Sequence, residues 1–88
     1  MATARQNVDG AATGRRQQLL RLQREVGAVR EALRLNGEAI RALAEAEQSR
    51  PLTAEERARA SRLRIESTRL FLEVQRLRRE FARLTEQP

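Results

Sequence analysis

The sequence predicts an all-α protein, an antiparallel two-helix coiled-coil hairpin, and three observations support this prediction. A heptad pattern of apolar residues runs through each half of the chain, and one proline-containing break at residues 49–52 separates the halves. The two heptads also come into step when the chain is folded back at that break. Since an apolar residue about every 3.5 positions forms a seam for a partner helix, two such stretches joined by a short loop favour a helical hairpin.

The composition limits the core and excludes most chemistry. Of the 88 residues, 40% are hydrophobic but only 2% are aromatic, so the core has to be aliphatic. Cysteine and histidine are absent, which excludes disulfides, thiolate metal sites and histidine acid–base chemistry. All 18 basic residues are arginine, and the formal net charge is +6. We therefore expect no enzymatic activity, no cofactor, no metal and no small-molecule substrate.

The amino-terminal stretch, residues 1–14, is small, polar and without periodicity, which predicts a disordered arm. No apolar run approaches the roughly 20 residues of a membrane span. No apolar signal-peptide region follows Met1. These features predict a cytoplasmic protein without a membrane span.

The first predicted helix covers residues 15–48 and carries one heptad. Asn36 is its one polar seam residue, and Gly37 follows in a turn-like dipeptide. Because the heptad phase continues across Gly27 and Gly37, we expect one continuous helix. The seam residues are Leu19, Leu22, Val26, Val29, Leu33, Asn36, Ile40 and Leu43.

The loop covers residues 49–52 and the second helix residues 53–86. Pro51 cannot continue a helix. Thr53 and Glu56 have the spacing of a capping box, in which the hydroxyl and the carboxylate each accept from the other residue's amide. Ser67 is the polar seam residue of this helix. The seam residues are Ala60, Leu63, Ser67, Leu70, Val74, Leu77, Phe81 and Leu84.

Folding the chain about the midpoint between Pro51 and Leu52 brings every apolar seam residue opposite another, for example Val26 opposite Leu77. The same operation places Asn36 opposite Ser67, although neither heptad alone requires this. We expect these two residues to share a polar layer and to hydrogen-bond each other. Such a layer costs stability and fixes the register of the helices.

A basic stripe and an apolar patch are the candidate binding features. Arginine recurs every seven residues at four successive c positions of the second helix, which can follow a nucleic-acid backbone, although glutamates three residues earlier compete for three of these side chains. The stripe is Arg62, Arg69, Arg76 and Arg83. Large apolar residues also lie off the seams, either packing more widely within the hairpin or forming a partner interface. They are Ile65, Phe71 and Leu72 on the second helix and Leu20 and Leu35 on the first.

Residues 33–84 resemble the helical hairpin of bacterial flagellar assembly protein A-type proteins. The likeness comprises the heptad from Leu33 to Leu43, the stretch Arg-Pro-Leu-Thr-Ala-Glu-Glu-Arg at 50–57, and the heptad from Leu63 to Leu84. The size is also similar to that of small helical-hairpin cochaperones and of needle subunits of type III secretion. These resemblances imply a role in bacterial assembly machinery and assign no site residue.

The sequence therefore predicts a non-enzymatic helical interaction module, an assembly factor, adaptor or small chaperone that acts through helix–helix contacts. Its partner is a second copy, giving a four-helix bundle, or another helical protein. The alternative is an arginine-rich protein that binds the phosphate backbone of a nucleic acid. An engineered hairpin is a third option, which the interior glycines disfavour.

Overall fold

The computed structural model describes the backbone of residues 2–86 and the side chains of residues 13–86. Helix α1 covers Ala2–Ser49 and helix α2 covers Ala54–Glu86. The helices run antiparallel and pack against each other along an elongated molecule of 74 × 16 × 15 Å. The prediction of an all-α helical hairpin is confirmed.

The heptad seam forms the interface between α1 and α2. All sixteen predicted seam residues are buried or half-buried. Leu77 is the most deeply buried of them, with 1% of its surface exposed, and Leu22, Ala60 and Val74 are also buried. Among the described side chains, this single layer together with Leu52 of the loop forms the core.

The predicted register is consistent with the neighbours of individual residues. A groove of about 320 Å³ lies between the helices and is lined by Val26 and Gly27 of α1 and by Arg78 and Phe81 of α2, among others. The pKa of Arg76 is raised chiefly by its hydrogen bond with Glu73, and the charge of Glu25 across the interface adds to the rise.

The loop ends α1 and starts α2 through a defined set of hydrogen bonds. The amide of Arg50 still donates to the Ala46 carbonyl at 3.2 Å, which completes the last turn of α1. The amide of Glu56 donates to the Thr53 hydroxyl at 3.1 Å, and the Thr53 amide donates to the Glu56 carboxylate at 3.0 Å. The predicted capping box is therefore confirmed. Leu52, with 9% of its surface exposed, closes the core at this end.

Helix α1 begins at Ala2, so its backbone is helical through residues 2–14, where the sequence predicts a disordered arm. A helix needs only its own main-chain hydrogen bonds to continue, and alanine and arginine favour it. A heptad pattern arises only where a helix packs against a partner, so a helical segment without a partner shows no such pattern. By the register, α1 extends past the end of α2 by about 20 Å.

Within residues 2–86, neither helix combines the length and the apolar character needed to cross a membrane.

Candidate partner-binding surface

Helix α2 carries a second heptad-spaced row on the side that faces away from α1. These residues are uncharged, all are exposed, and we call them the outer strip. The outer strip is Ala58, Ser61, Ile65, Thr68, Leu72 and Gln75. Ile65 and Leu72 are 63% and 57% exposed, and Phe71 at the edge of the strip is 55% exposed. In most globular proteins a third layer covers such residues, and the heptad spacing of the row is that of a helix-packing face.

Thr68 increases the apolar character of the outer strip. Its hydroxyl donates to the Arg64 carbonyl at 3.1 Å, one turn earlier on the same helix. The donor of the hydroxyl is therefore satisfied within the helix, and only its oxygen is left to accept from water. Thr68 lies between Ile65 and Leu72, so it joins the two apolar residues into a continuous surface.

The corresponding outward face of α1 is of a different kind. Arg34 donates to Glu31 through Nε at 3.0 Å and to Glu38 through Nη1 at 2.6 Å. These contacts lower the pKa of Glu31 and raise that of Arg34. Ion pairs of this type, exposed and on one helix, characterise a face that stays in water. The outward face of α2 therefore carries exposed apolar residues, whereas that of α1 carries ion pairs.

The five predicted interface residues are all exposed, but they do not form one patch. Ile65, Phe71 and Leu72 are contiguous on α2. By its heptad position Leu35 lies on the other side of the hairpin from Phe71. Leu20 lies on α1 near the far end of α2, at an axial distance of about 18 Å from Phe71 by helical rise. The surface therefore rests on the three α2 residues, and Leu20 and Leu35 are separate exposed leucines.

The basic stripe is partly neutralised by glutamates of the same helix. Arg76 donates to Glu73 through Nε at 3.1 Å and to Glu80 through Nη1 at 3.2 Å. Arg69 lies 3.6 Å from Glu66. Among residues 13–86, Arg62 and Arg83 have no ion pair. Two of the four arginines therefore have carboxylate partners, which weakens the stripe as a phosphate-binding surface.

A bidentate ion pair braces the loop, and the sequence did not indicate it. Arg50 donates to both carboxylate oxygens of Glu56, at 2.8 and 2.9 Å, and also to the Pro51 carbonyl. The Arg50 guanidinium, followed by the Thr53 amide, lowers the pKa of Glu56 to about 2. Arg57 donates to the Leu52 carbonyl at 2.8 Å. The one feature of the sequence that could have pointed to this ion pair is the arginine that directly precedes the proline of the capped turn.

The predicted polar layer lacks its hydrogen bond. Asn36 and Ser67 are both half-buried in the seam. The amide nitrogen of Asn36 is buried and has no hydrogen-bond partner, so it does not donate to the Ser67 hydroxyl. The sequence placed both residues on the buried face, but a hydrogen bond also requires side-chain atoms about 3 Å apart and correctly oriented. The layer is therefore an energetic cost to the hairpin without the expected compensation.

Within the described residues, no group of three or more acidic side chains is placed to hold a metal ion. The carboxylate of Glu56, next to the loop, is instead occupied by Arg50. The outer strip of α2 is thus the feature with the strongest binding character. No protein-family model matches this chain, and comparison with curated proteins and with solved structures finds no match either. The resemblance to flagellar assembly proteins stays a prediction, and function is argued from the surface alone.

Proposed function

We propose that the protein is a non-enzymatic helical interaction module, an assembly factor, adaptor or small chaperone that binds its partner through helix–helix contacts. The observation that carries this proposal is the exposure of Ile65, Phe71 and Leu72 together on α2. Fully burying an exposed side chain of this size is worth about 1.5–3 kcal/mol, and more than half of each of these three is still available to a partner. Within residues 13–86, no other side chain of the hairpin covers them.

The proposal is tested by replacing Leu72 with glutamate. Leu72 lies opposite the seam, so the change leaves the α1–α2 core intact, and circular dichroism checks this. Leu20→Glu is the matched control, because Leu20 is 47% exposed but lies away from the outer strip. We expect wild type and Leu20→Glu to capture the same protein from native extract and Leu72→Glu to lose it. Equal capture by all three would contradict the proposal.

The nucleic-acid alternative has a separate test. Binding to the phosphate backbone through Arg62, Arg69, Arg76 and Arg83 releases counterions, so its affinity falls steeply as salt rises. The same capture at low and physiological salt separates the two functions. Nucleic acid that is lost at physiological salt while protein is retained supports the interaction module. Nucleic acid retained by wild type and lost on Arg62→Glu with Arg83→Glu would support the alternative.

A further inference from the structure

We propose that the outer strip of α2 binds an amphipathic helix of a different protein, one whose apolar stripe is bordered by acidic residues. This inference rests on the proposed function and goes beyond it by naming the chemistry of the partner. It depends on the spacing of the outer strip, the charge along both of its borders, and the consequence of those charges for self-association.

The spacing of the outer strip fits a helix. Its six residues follow one another at intervals of three and four, the pattern that buries one helix against another. The distance from Ala58 to Gln75 is about 26 Å by helical rise, or about five turns. Beyond Gln75 the next position in the row is Arg79, where the uncharged surface ends. A partner helix of about 18 residues matches this length.

The borders of the outer strip are arginine rows. The row on the Phe71 side holds Arg57, Arg64 and Arg78, and the row on the opposite side holds Arg62, Arg69 and Arg76. The outer strip holds no acidic residue, and Glu55, in the first turn of α2, is the one acidic residue in line with the second row. The glutamates that pair with Arg69 and Arg76 lie beyond the second row, next to the seam. Among the described side chains, Arg62, Arg64 and Arg78 form no ion pair.

These charges disfavour a second copy of α2 as the occupant. In a two-fold contact between two outer strips, each arginine row would face an arginine row of the other copy, its own counterpart if the helices are antiparallel and the other row if they are parallel. Like charges held at that distance repel, and partial burial strengthens the repulsion. A helix with glutamate or aspartate on both borders converts each of these contacts into an ion pair. The outer strip thus selects against itself and in favour of an acidic amphipathic helix.

The experiment compares two synthetic 18-residue helical peptides by fluorescence anisotropy with the full chain. Both carry the same leucine and alanine stripe, bordered by glutamate in one and by lysine in the other. We expect the acidic peptide to bind at least about tenfold more tightly, because each lysine border faces arginine. Leu72→Glu should weaken it by about tenfold or more, since a buried leucine contact is lost. Leu20→Glu should leave its affinity unchanged.

The role of the borders is separated from net charge by two double variants. R64E/R78E changes one arginine row, and R24E/R41E makes the same change in net charge on α1, away from the outer strip. We expect R64E/R78E to lower the affinity for the acidic peptide by about tenfold more than R24E/R41E does. Circular dichroism verifies that each variant is folded. Equal weakening by the two double variants would show that only net charge is sensed, and the inference would be wrong.

The remaining outcomes separate the inference from the proposed function. If neither peptide binds, or both bind alike while Leu72→Glu still abolishes capture of the native partner, the acidic-helix inference fails and the proposed function stands. If Leu72→Glu changes neither binding nor capture, both fail. If wild type sediments as a dimer that Leu72→Glu dissociates, a second copy covers the outer strip and the inference is overturned.

Discussion

Replacing Asn36 with leucine should stabilise the hairpin, because the buried amide nitrogen of Asn36 has no hydrogen-bond partner. A buried unsatisfied donor costs about 1–3 kcal/mol. A leucine at the same half-buried seam position also adds apolar contact with α2. We expect a net gain of about 2 kcal/mol in the free energy of unfolding, which corresponds to a rise of about 10 °C in Tm for a domain of this size.

The measurement is urea unfolding followed by circular dichroism for the wild type, Asn36→Leu, Ser67→Val and the double variant. Without a hydrogen bond between the two side chains, neither single substitution leaves a polar partner unsatisfied, so neither single variant should be less stable than the wild type. Gln48→Leu is the control, since it replaces an exposed amide with leucine outside the seam. It should change the stability by less than about 0.5 kcal/mol.

Two results would refute this reasoning. A destabilised Asn36→Leu would show that the amide is satisfied in solution. A Ser67→Val variant that is less stable than the wild type, with the loss removed when Asn36→Leu is added, would show that the two side chains do form the hydrogen bond that the sequence predicted.

Three further predictions concern the loop, the glycines and the core. Because the pKa of Glu56 is lowered to about 2 from 4.5, its ion pair with Arg50 stabilises the fold fully above pH 4.5 and is lost as pH falls towards 2. The difference in unfolding free energy between the wild type and Glu56→Gln should therefore shrink over that interval in acid titrations of stability. Gly27→Ala and Gly37→Ala should each stabilise the hairpin by up to about 1 kcal/mol in thermal unfolding, since an added Cβ meets open space at both positions. Leu77→Ala should cost about 2–5 kcal/mol by urea unfolding, because Leu77 is 1% exposed and its loss leaves a cavity.

Each of these has an outcome that contradicts it. A stability difference between the wild type and Glu56→Gln that stays constant from pH 5 to 2 would show that Arg50 does not hold the carboxylate. A destabilising Gly37→Ala would mean that the helices approach more closely at this position than described. A loss of less than about 1 kcal/mol in the free energy of unfolding for Leu77→Ala would place Leu77 outside the core. Leu84→Ala is the comparison variant, because Leu84 lies at the half-buried end of the seam.

The fold was predictable because helical periodicity acts locally. Apolar residues repeating at heptad spacing define one buried face wherever they occur, so the seam of both helices follows from the sequence. The break at Pro51 and the Thr53–Glu56 capping box depend on residues next to each other in the chain, and both were predicted correctly. The start of α1 was less predictable, because a helix without a partner carries no periodic signal.

The sequence by itself thus determined the antiparallel hairpin, its loop and its register, since these depend on which residues share a helical face. Only the tertiary structure decided that Asn36 lacks its hydrogen bond and that Arg50 holds Glu56, because both depend on side-chain atoms about 3 Å apart. It also showed that Ile65, Phe71 and Leu72 each stay more than half exposed. A sequence lists apolar residues that lie off the seam, but only the assembled pair of helices shows how much of each remains uncovered.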